Sequence, residues 1–393
     1  MGTIEVEAFG LSSNSQCTFL LPSMVLLAYS TGWQIITPIL SLYYRSFGFS
    51  VAEIGLVFSF LGLGMLVFEP IWGLLCDRVP IRKVMVPTIL LSTLNVSLYA
   101  WNSSVAIFAM LEFLHGVLAS AVGVAGRAMI VDLSPSRRGK AFGIWSAMYG
   151  LGAMIGPFVG GFAAQTANYR TAFYLSAFTF GIAFIFALKS IRFPIRSALN
   201  DQSSKLNSSR SFLLAPIFAM VALNFLSLQF VKSIVPIYLR ESAHFIVTET
   251  EIGLVFTAIG LIGLPTQVLV GSLSDRVGRK YPAALGMILC SFAFAAFPSI
   301  SDIFQLYLVT SIYAIGGATI VPCLMATLMD ISPFDRGASM GIYGAAEDLG
   351  MLVGPAVTGL AHHYYGIDAP FLICSEIMLL NAILAFIFIK RKS

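Results

Sequence analysis

The chain is 393 residues long, with 58% hydrophobic residues, 11% charged residues, a formal net charge of +4 and a mean hydropathy of +0.87. A water-soluble domain carries about 25% Asp, Glu, Lys and Arg to keep its surface wet, so this composition excludes a soluble globule. A nucleic-acid binder is excluded too, because the basic residues form no folded basic patch.

Each membrane helix needs about 20 apolar residues, and at roughly 33 residues per helix and connector the length holds about a dozen spans and no large appended domain. Residues 1–17 hold Glu5 and Glu7 but no Lys or Arg. They lack the positive start of a secretory signal and are expected to form a cytoplasmic tail before a retained first span. Apolar stretches follow at 18–44, 51–75, 84–101, 105–133, 138–167 and 171–190. A connector at 191–210, rich in Ser, Asn, Lys and Arg, reads as a flexible cytoplasmic linker. Six further stretches lie at 211–240, 250–274, 281–298, 302–330, 336–363 and 369–389, before a basic tail at 390–393. The predicted architecture is an all-α integral membrane protein with twelve transmembrane helices, divided into six-helix bundles at 18–190 and 211–389.

With both ends cytoplasmic, eighteen Lys and Arg fall on inside loops and tails and only Arg45, Arg170 and Arg240 fall outside. That bias is the positive-inside pattern, and an even number of spans produces it. The five cysteines, Cys17, Cys76, Cys290, Cys323 and Cys374, are scattered singly and read as packing residues rather than disulfide partners or metal ligands.

The two bundles are copies. Glu53-Ile-Gly-Leu-Val-Phe58 recurs 198 residues later as Glu251-Ile-Gly-Leu-Val-Phe256, and Asp77-Arg78-Val79 recurs as Asp275-Arg276-Val277 at the same offset. Asp132, Gly152, Gly156 and Pro157 match Asp330, Gly350, Gly354 and Pro355, and Pro38 matches Pro236. A constant offset across several spans marks a duplication. It joins span 1 to span 7 and span 2 to span 8, so the copies share one membrane orientation and are related by a pseudo-two-fold axis along the membrane normal.

These motifs resemble the major facilitator superfamily of secondary transporters, particularly its drug/proton antiporters, over nearly the whole chain. Gly73-Leu-Leu-Cys-Asp77-Arg78-Val-Pro-Ile-Arg82-Lys83 is similar to the family's loop signature after span 2, with one inserted residue. Its copy, Gly271-Ser-Leu-Ser-Asp275-Arg276-Val-Gly278-Arg279-Lys280, fits better. The resemblance implies a cytoplasmic gating latch, in which Asp77 pairs with Arg82 and Asp132 while Asp275 pairs with Arg279 and Asp330. Arg78 and Arg276 either join that latch or anchor helix ends. Span 5 carries Gly152, Gly156, Pro157, Gly160 and Gly161, similar to the signature of antiporters and exporters, and span 11 repeats it as Gly350, Gly354, Pro355 and Gly359. Small residues four apart form a flat strip on which another helix can pack closely.

Ionisable groups inside spans carry the functional information, because each costs roughly 2.5–3.5 kcal/mol at a helix centre on insertion scales. Glu69 lies eight residues from Asp77 and Arg127 five from Asp132. At about 1.5 Å per residue both sit about 8–12 Å inside the cytoplasmic end. Glu347 and Asp348 lie about 16 Å from Arg336 on the same rise. The family's arrangement, with spans 2 and 11 meeting between the halves and span 4 lining the cavity, implies a cluster of Glu69, Arg127 and one of Glu347 or Asp348. Glu112 and Lys232 share a depth near the outer side, as partners or as opposite cavity walls. Lys232 occupies the repeat position of Gln34 and shares a polar stripe with Gln229 and Asn224. His115 reads as a packed polar residue and Glu376 as a satisfied or interfacial one.

No catalytic constellation, phosphate-binding loop, metal-ligand cluster or cofactor motif is legible; His362-His363 stand alone. The reading is therefore a monomeric transporter in the cell membrane, working by alternating access on small organic molecules and exporting amphipathic ones in exchange for protons. Glu69 and Glu112 are the leading proton carriers, followed by Glu347 and Asp348. The alternatives are an importer or facilitator of organic anions that uses Arg127 and Lys232, and a membrane sensor that no longer transports.

Overall fold

The computed structural model describes residues 13–133, 138–190, 213–241, 247–333 and 336–389, without the side chains of 13–20, 130–146, 190, 336 and 337. Residues 1–12 of the expected N-terminal tail, the linker at 191–210, the tail at 390–393 and the side chains of Cys17 and Asp132 lie outside these described residues, while 13–17 belong to the first helix rather than to a tail.

Among the described residues there is no strand, and the elements are α1 (Ser13–Ile36), α2 (Leu40–Ser46), α3 (Val51–Arg78), α4 (Ile81–Tyr99), α5 (Val105–Leu133), α6 (Arg138–Thr166) and α7 (Tyr169–Ser190). They continue as α8 (Leu214–Ser233), α9 (Val235–Glu241), α10 (Glu249–Val277), α11 (Lys280–Ala296), α12 (Ile303–Ile331), α13 (Arg336–Tyr365) and α14 (Ala369–Phe388). Taking α1 with α2 and α8 with α9 gives twelve spans. Eleven are long and apolar enough to cross a bilayer by composition alone. The twelfth, α13, is diluted by Glu347, Asp348 and several glycines, yet it runs for 30 residues.

Local chemistry sets the helix boundaries. Pro38 has no amide hydrogen to give, and the chain turns over residues 37–39 before restarting as α2. Its repeat mate Pro236 lies just after the equivalent break between α8 and α9. Ser50 and Glu53 form a capping box at the start of α3, and Thr248 and Glu251 form the same box at α10. The conserved spacing of the duplicated Glu-Ile-Gly-Leu-Val-Phe segments thus begins with a device that satisfies the first amides of each helix.

The halves meet along two seams, α3 against α13 and α6 against α10. At the first, a Cβ on Gly55 would collide with the Pro355 carbonyl; at the second, a Cβ on Gly253 would collide with the Pro157 carbonyl. These are repeat mates, as are the neighbouring approaches of Gly62 to Met351 and Leu352 and of Gly260 to Ala153. In a bilayer, helices gain from such close van der Waals approach rather than from a hydrophobic drive between them. Gly152 and Gly156 face α1 at Ser30 and Gln34 instead, and Gly350 and Gly354 face α8 at Ala222 and Leu226. Gly161 and Pro157 supply the α10 seam. The glycine strip therefore has two working faces.

We name the two ends by their residues: the Arg45 face, where α2 and α9 finish, and the Asp77 face, where α3 and α10 finish. Both seams are tight toward the Arg45 face. Toward the Asp77 face, Gly73 and Gly271 look into open space. An aromatic cluster packs the Arg45 end of each half: Tyr43, Tyr44, Phe108 and Phe173 in one, Phe230, Tyr238, Phe297 and Phe371 in the other. Helices α4, α7, α11 and α14 form the outer layer and expose residues such as Leu94, Phe178, Leu285 and Ile387. Cys76, Cys290, Cys323 and Cys374 are buried.

Candidate functional site

Arg127 on α5 donates through Nη2 to Oε1 of Glu69 on α3, closing an ion pair inside the N-terminal half. Neither partner is fully enclosed, with side chains 29% and 19% exposed. Across the seam, α13 presents Gly344 to this carboxylate: a Cβ there would stand 3.3 Å from Glu69 Oε1. The glycine makes room for the charge.

One turn further along α13 come Glu347 and Asp348. Glu347 is close enough to interact electrostatically with Glu69, Arg127 and Lys232 of α8. Asp348 is 1% exposed, and neither of its oxygens receives a hydrogen bond, while Glu69, Glu347 and Arg127 surround it. Two tyrosines line the same place. Tyr149 on α6 is in electrostatic reach of Arg127, Glu347 and Glu69. Tyr343 on α13 faces Glu347, and its hydroxyl has no hydrogen-bond partner. Three carboxylates and two cations, drawn from α3, α5, α8 and α13, thus share one site spanning both halves.

The common depth of Glu112 and Lys232 does not make them partners. Lys232 faces Glu347. Glu112, 1% exposed, accepts a 2.9 Å hydrogen bond from the Tyr44 hydroxyl on α2 and has Tyr99 of α4 as its other polar neighbour. Gln229 is buried with its Oε1 unpaired, and Gln34 accepts from Thr37 Oγ1 at 3.0 Å. His115 is buried with its ring centroid 3.6 Å from that of Trp33. Glu376 is exposed on α14.

At the Asp77 face the second copy of the loop forms a relay: Arg279 donates to Asp330 and to the Ala326 carbonyl at 2.5 Å, with Asp275 at 3.9 Å. Gly278 adopts φ +90° and ψ 162°, which turns the chain from α10 into α11 in two residues. In the first copy the inserted residue changes the turn. Val79 and Pro80 are extended, Asp77 and Arg82 are exposed, and among the described residues no ion pair joins them. Arg78 and Arg276 are exposed at helix ends. Replacing Gly278 with Ala is expected to cost about 1–3 kcal/mol, because that backbone region is nearly closed to residues with a Cβ. Thermal denaturation of purified protein checks this, with Val277→Ala, at an exposed position of the same helix end, as the control that leaves stability within about 0.5 kcal/mol.

Sequence reasoning missed the tyrosines and the polar contacts at the Arg45 face. Tyr149 was within its reach, since it is the repeat mate of Glu347. At that face Arg45 pairs with Glu241 of the other half at 2.5 and 3.1 Å, and Tyr169 donates to Glu249 at 3.2 Å. Arg45 and Arg240 enter the sequence reading only as counts of external charge.

A family model described as Major Facilitator Superfamily matches residues 23–245 and again 217–393, so each half matches and together they span most of the chain. The chain belongs to the major facilitator superfamily. Among curated members, it is 24% identical to the multidrug resistance protein MdtG of Dickeya zeae (strain Ech586) over 373 residues, covering 92% of this chain and 91% of the relative. It is 22% identical to the quinolone resistance protein NorA of Staphylococcus aureus (strain COL), covering 91% and 92%. Its fold is similar to that of the nucleoside transporter NupG, with a TM-score of 0.77 at 14% identity, covering 95% of this chain and 99% of that one. As a superfamily member the chain is a multi-pass membrane transporter of small molecules.

Proposed function

We propose that this transporter exports small amphipathic organic molecules in exchange for protons, by alternating access around the site of Glu69, Arg127, Lys232, Glu347 and Asp348. The observation that carries the proposal is the charge balance of that site. Its three carboxylates exceed its two cations, so one proton or one cationic group completes it. Asp348 stands beside Glu69 with no donor to either oxygen; a single proton held between two carboxylates satisfies both. Arrival of a positively charged or strongly donating substrate removes the need for that proton, and this competition is the physical basis of exchange. Tyr149 and Tyr343 supply apolar faces with polar tips, suited to amphipathic molecules.

The excess of Lys and Arg at the Asp77 face supports assigning that face to the cytoplasm, with both termini inside; a monomer in the cell membrane completes the proposal. On that assignment the tight glycine seams and the Arg45–Glu241 pair lie toward the outer side. The multidrug and quinolone resistance relatives support the export direction. Import of an organic anion is the weaker reading, since Arg127 is paired with Glu69 and Lys232 faces Glu347. An incoming anion would compete with carboxylates already in place.

The test is flux into inverted proteoliposomes of ethidium, an amphipathic cation, and of fluorescein, an organic anion. Export by proton exchange predicts ethidium accumulation when the lumen is acidic and its loss when the gradient is collapsed. Fluorescein uptake independent of the gradient would replace this reading with the anion one.

A further inference from the structure

Glu112 lies apart from the central site, and the short helix α2 joins it to the opposite half of the protein. This helix has seven residues and is separated from α1 by the turn at Pro38. Two consecutive residues on it point to different partners. Tyr44, fully buried, donates to Glu112 Oε1 at 2.9 Å within the N-terminal half. Arg45 donates through Nε and Nη2 to both carboxylate oxygens of Glu241, the last residue of α9 in the C-terminal half. Arg45 also holds the Phe49 carbonyl at 2.9 Å, which fixes the path from α2 into α3.

From the elements around it, the titratable groups facing Glu112 are Tyr44 of α2 and Tyr99 of α4, and among the described residues no Lys or Arg pairs with it. Asn95 lies beside Tyr99, whose own hydroxyl is buried without a hydrogen-bond partner. His115 follows one turn along α5, against Trp33. The groups facing the Arg45 and Glu241 pair include His362 of α13.

We infer that Glu112 is a second proton-binding site, and that its protonation controls whether the Arg45 face opens, through Tyr44 and the adjoining Arg45–Glu241 pair. The inference rests on the proton-exchange reading above. Enclosing a carboxylate away from water without a cation is costly, so the sealed face and a proton on Glu112 favour one another. Once the proton leaves, the charged carboxylate gains by hydration, which requires α2 to move. Because α2 is hinged at its start and only seven residues long, Tyr44 and Arg45 move together, and movement of Arg45 breaks the bond to Glu241. Proton loss at Glu112 thus opens the face, and proton binding closes it.

The experiment measures the distance between spin labels on full-length protein in nanodiscs, at Ser46→Cys on α2 and Tyr365→Cys on α13, with the native cysteines replaced. Both positions are exposed, and neither joins the ion pair. Without the inferred coupling substitutions, the long-distance population should rise as pH is raised from 5.5 to 8.5, by about fivefold or more for a coupling of usual size. Glu112→Gln, which keeps an oxygen to accept from Tyr44 but loses the titration, should hold the short distance at every pH. Tyr44→Phe should flatten the response while Glu112 remains, and His362→Asn should leave it intact. Ethidium flux driven by a pH gradient is recorded for each variant, with size-exclusion profiles checking the fold. A pH response retained in Glu112→Gln, or lost in His362→Asn alone, overturns the inference while gradient-driven flux keeps the exchange reading standing. Absence of gradient-driven flux in the unsubstituted protein overturns the exchange reading itself.

Discussion

Replacing Arg127 with Ala is expected to lower gradient-driven transport by at least about tenfold, and to lower the stability of the protein by more than Glu69→Gln does. The asymmetry follows from counting charges at the site. Without Arg127, three carboxylates on α3 and α13 face Lys232 alone; without the Glu69 charge, two carboxylates face two cations. Breaking an enclosed ion pair from the cationic side costs about 3–5 kcal/mol when both groups are fully buried. Here the side chains keep 29% and 19% exposure, so about 2–3 kcal/mol is the reasonable expectation after screening by water. The double exchange Arg127→Glu with Glu69→Arg restores the pair in reverse and should recover much of the lost transport. Equal losses in the two single variants, with no recovery in the exchange, would show that the two residues act separately.

Gly253→Val is expected to abolish transport by preventing closure of the Arg45 face. The Cβ would meet the Pro157 carbonyl, a backbone atom in a helix that also packs on α1 through Gly152 and Gly156, so no side-chain rotation relieves the clash. Overpacking of this kind costs about 1–3 kcal/mol, and the side chain of Val adds two carbons beyond the Cβ. Opening the seam removes the clash, so the balance should move toward an open Arg45 face. The repeat predicts that Gly55→Val does the same against Pro355. Spin labels across the Arg45 face should therefore report the long-distance population in both variants at low pH, where the unsubstituted protein is closed. A short distance with normal flux in either variant would mean that the seam tolerates the added bulk.

Most of the fold could be read from the pattern of apolar stretches and the offset of 198 residues. The spans follow from length and hydropathy, and the stretch at 336–363 that forms most of α13 is also marked as the repeat of α6. The meeting of Glu69 and Arg127 was legible as well, since both lie a short, countable rise from acidic residues at the same membrane face. Depth alone says nothing about direction around a helix axis. For that reason Glu112 and Lys232, at one depth, turn to different partners: one to Tyr44 within its own half, the other to Glu347. The glycine strips were readable as packing surfaces, but their division between α1 and α10 depends on a few tens of degrees of helix rotation. Arg45 and Glu241 lie 196 residues apart, away from the repeat offset, and no local pattern joins them. The first loop shows a similar limit: one inserted residue replaces the glycine turn of the second copy with an extended Val79-Pro80, and motif similarity does not reveal what that does to the pairing.

The central claim is that one proton and one substrate alternate at the site of Glu69, Glu347 and Asp348. It is tested most directly by proton release on substrate binding. Ethidium is titrated into purified protein in weakly buffered detergent solution with a pH indicator, beside the Glu347→Gln, Asp348→Asn double variant. The unsubstituted protein should release about one proton per ethidium bound as the cation takes over the excess negative charge, and the double variant should release none. Saturable ethidium binding with no proton release from the unsubstituted protein, or equal release from both, would contradict the claim.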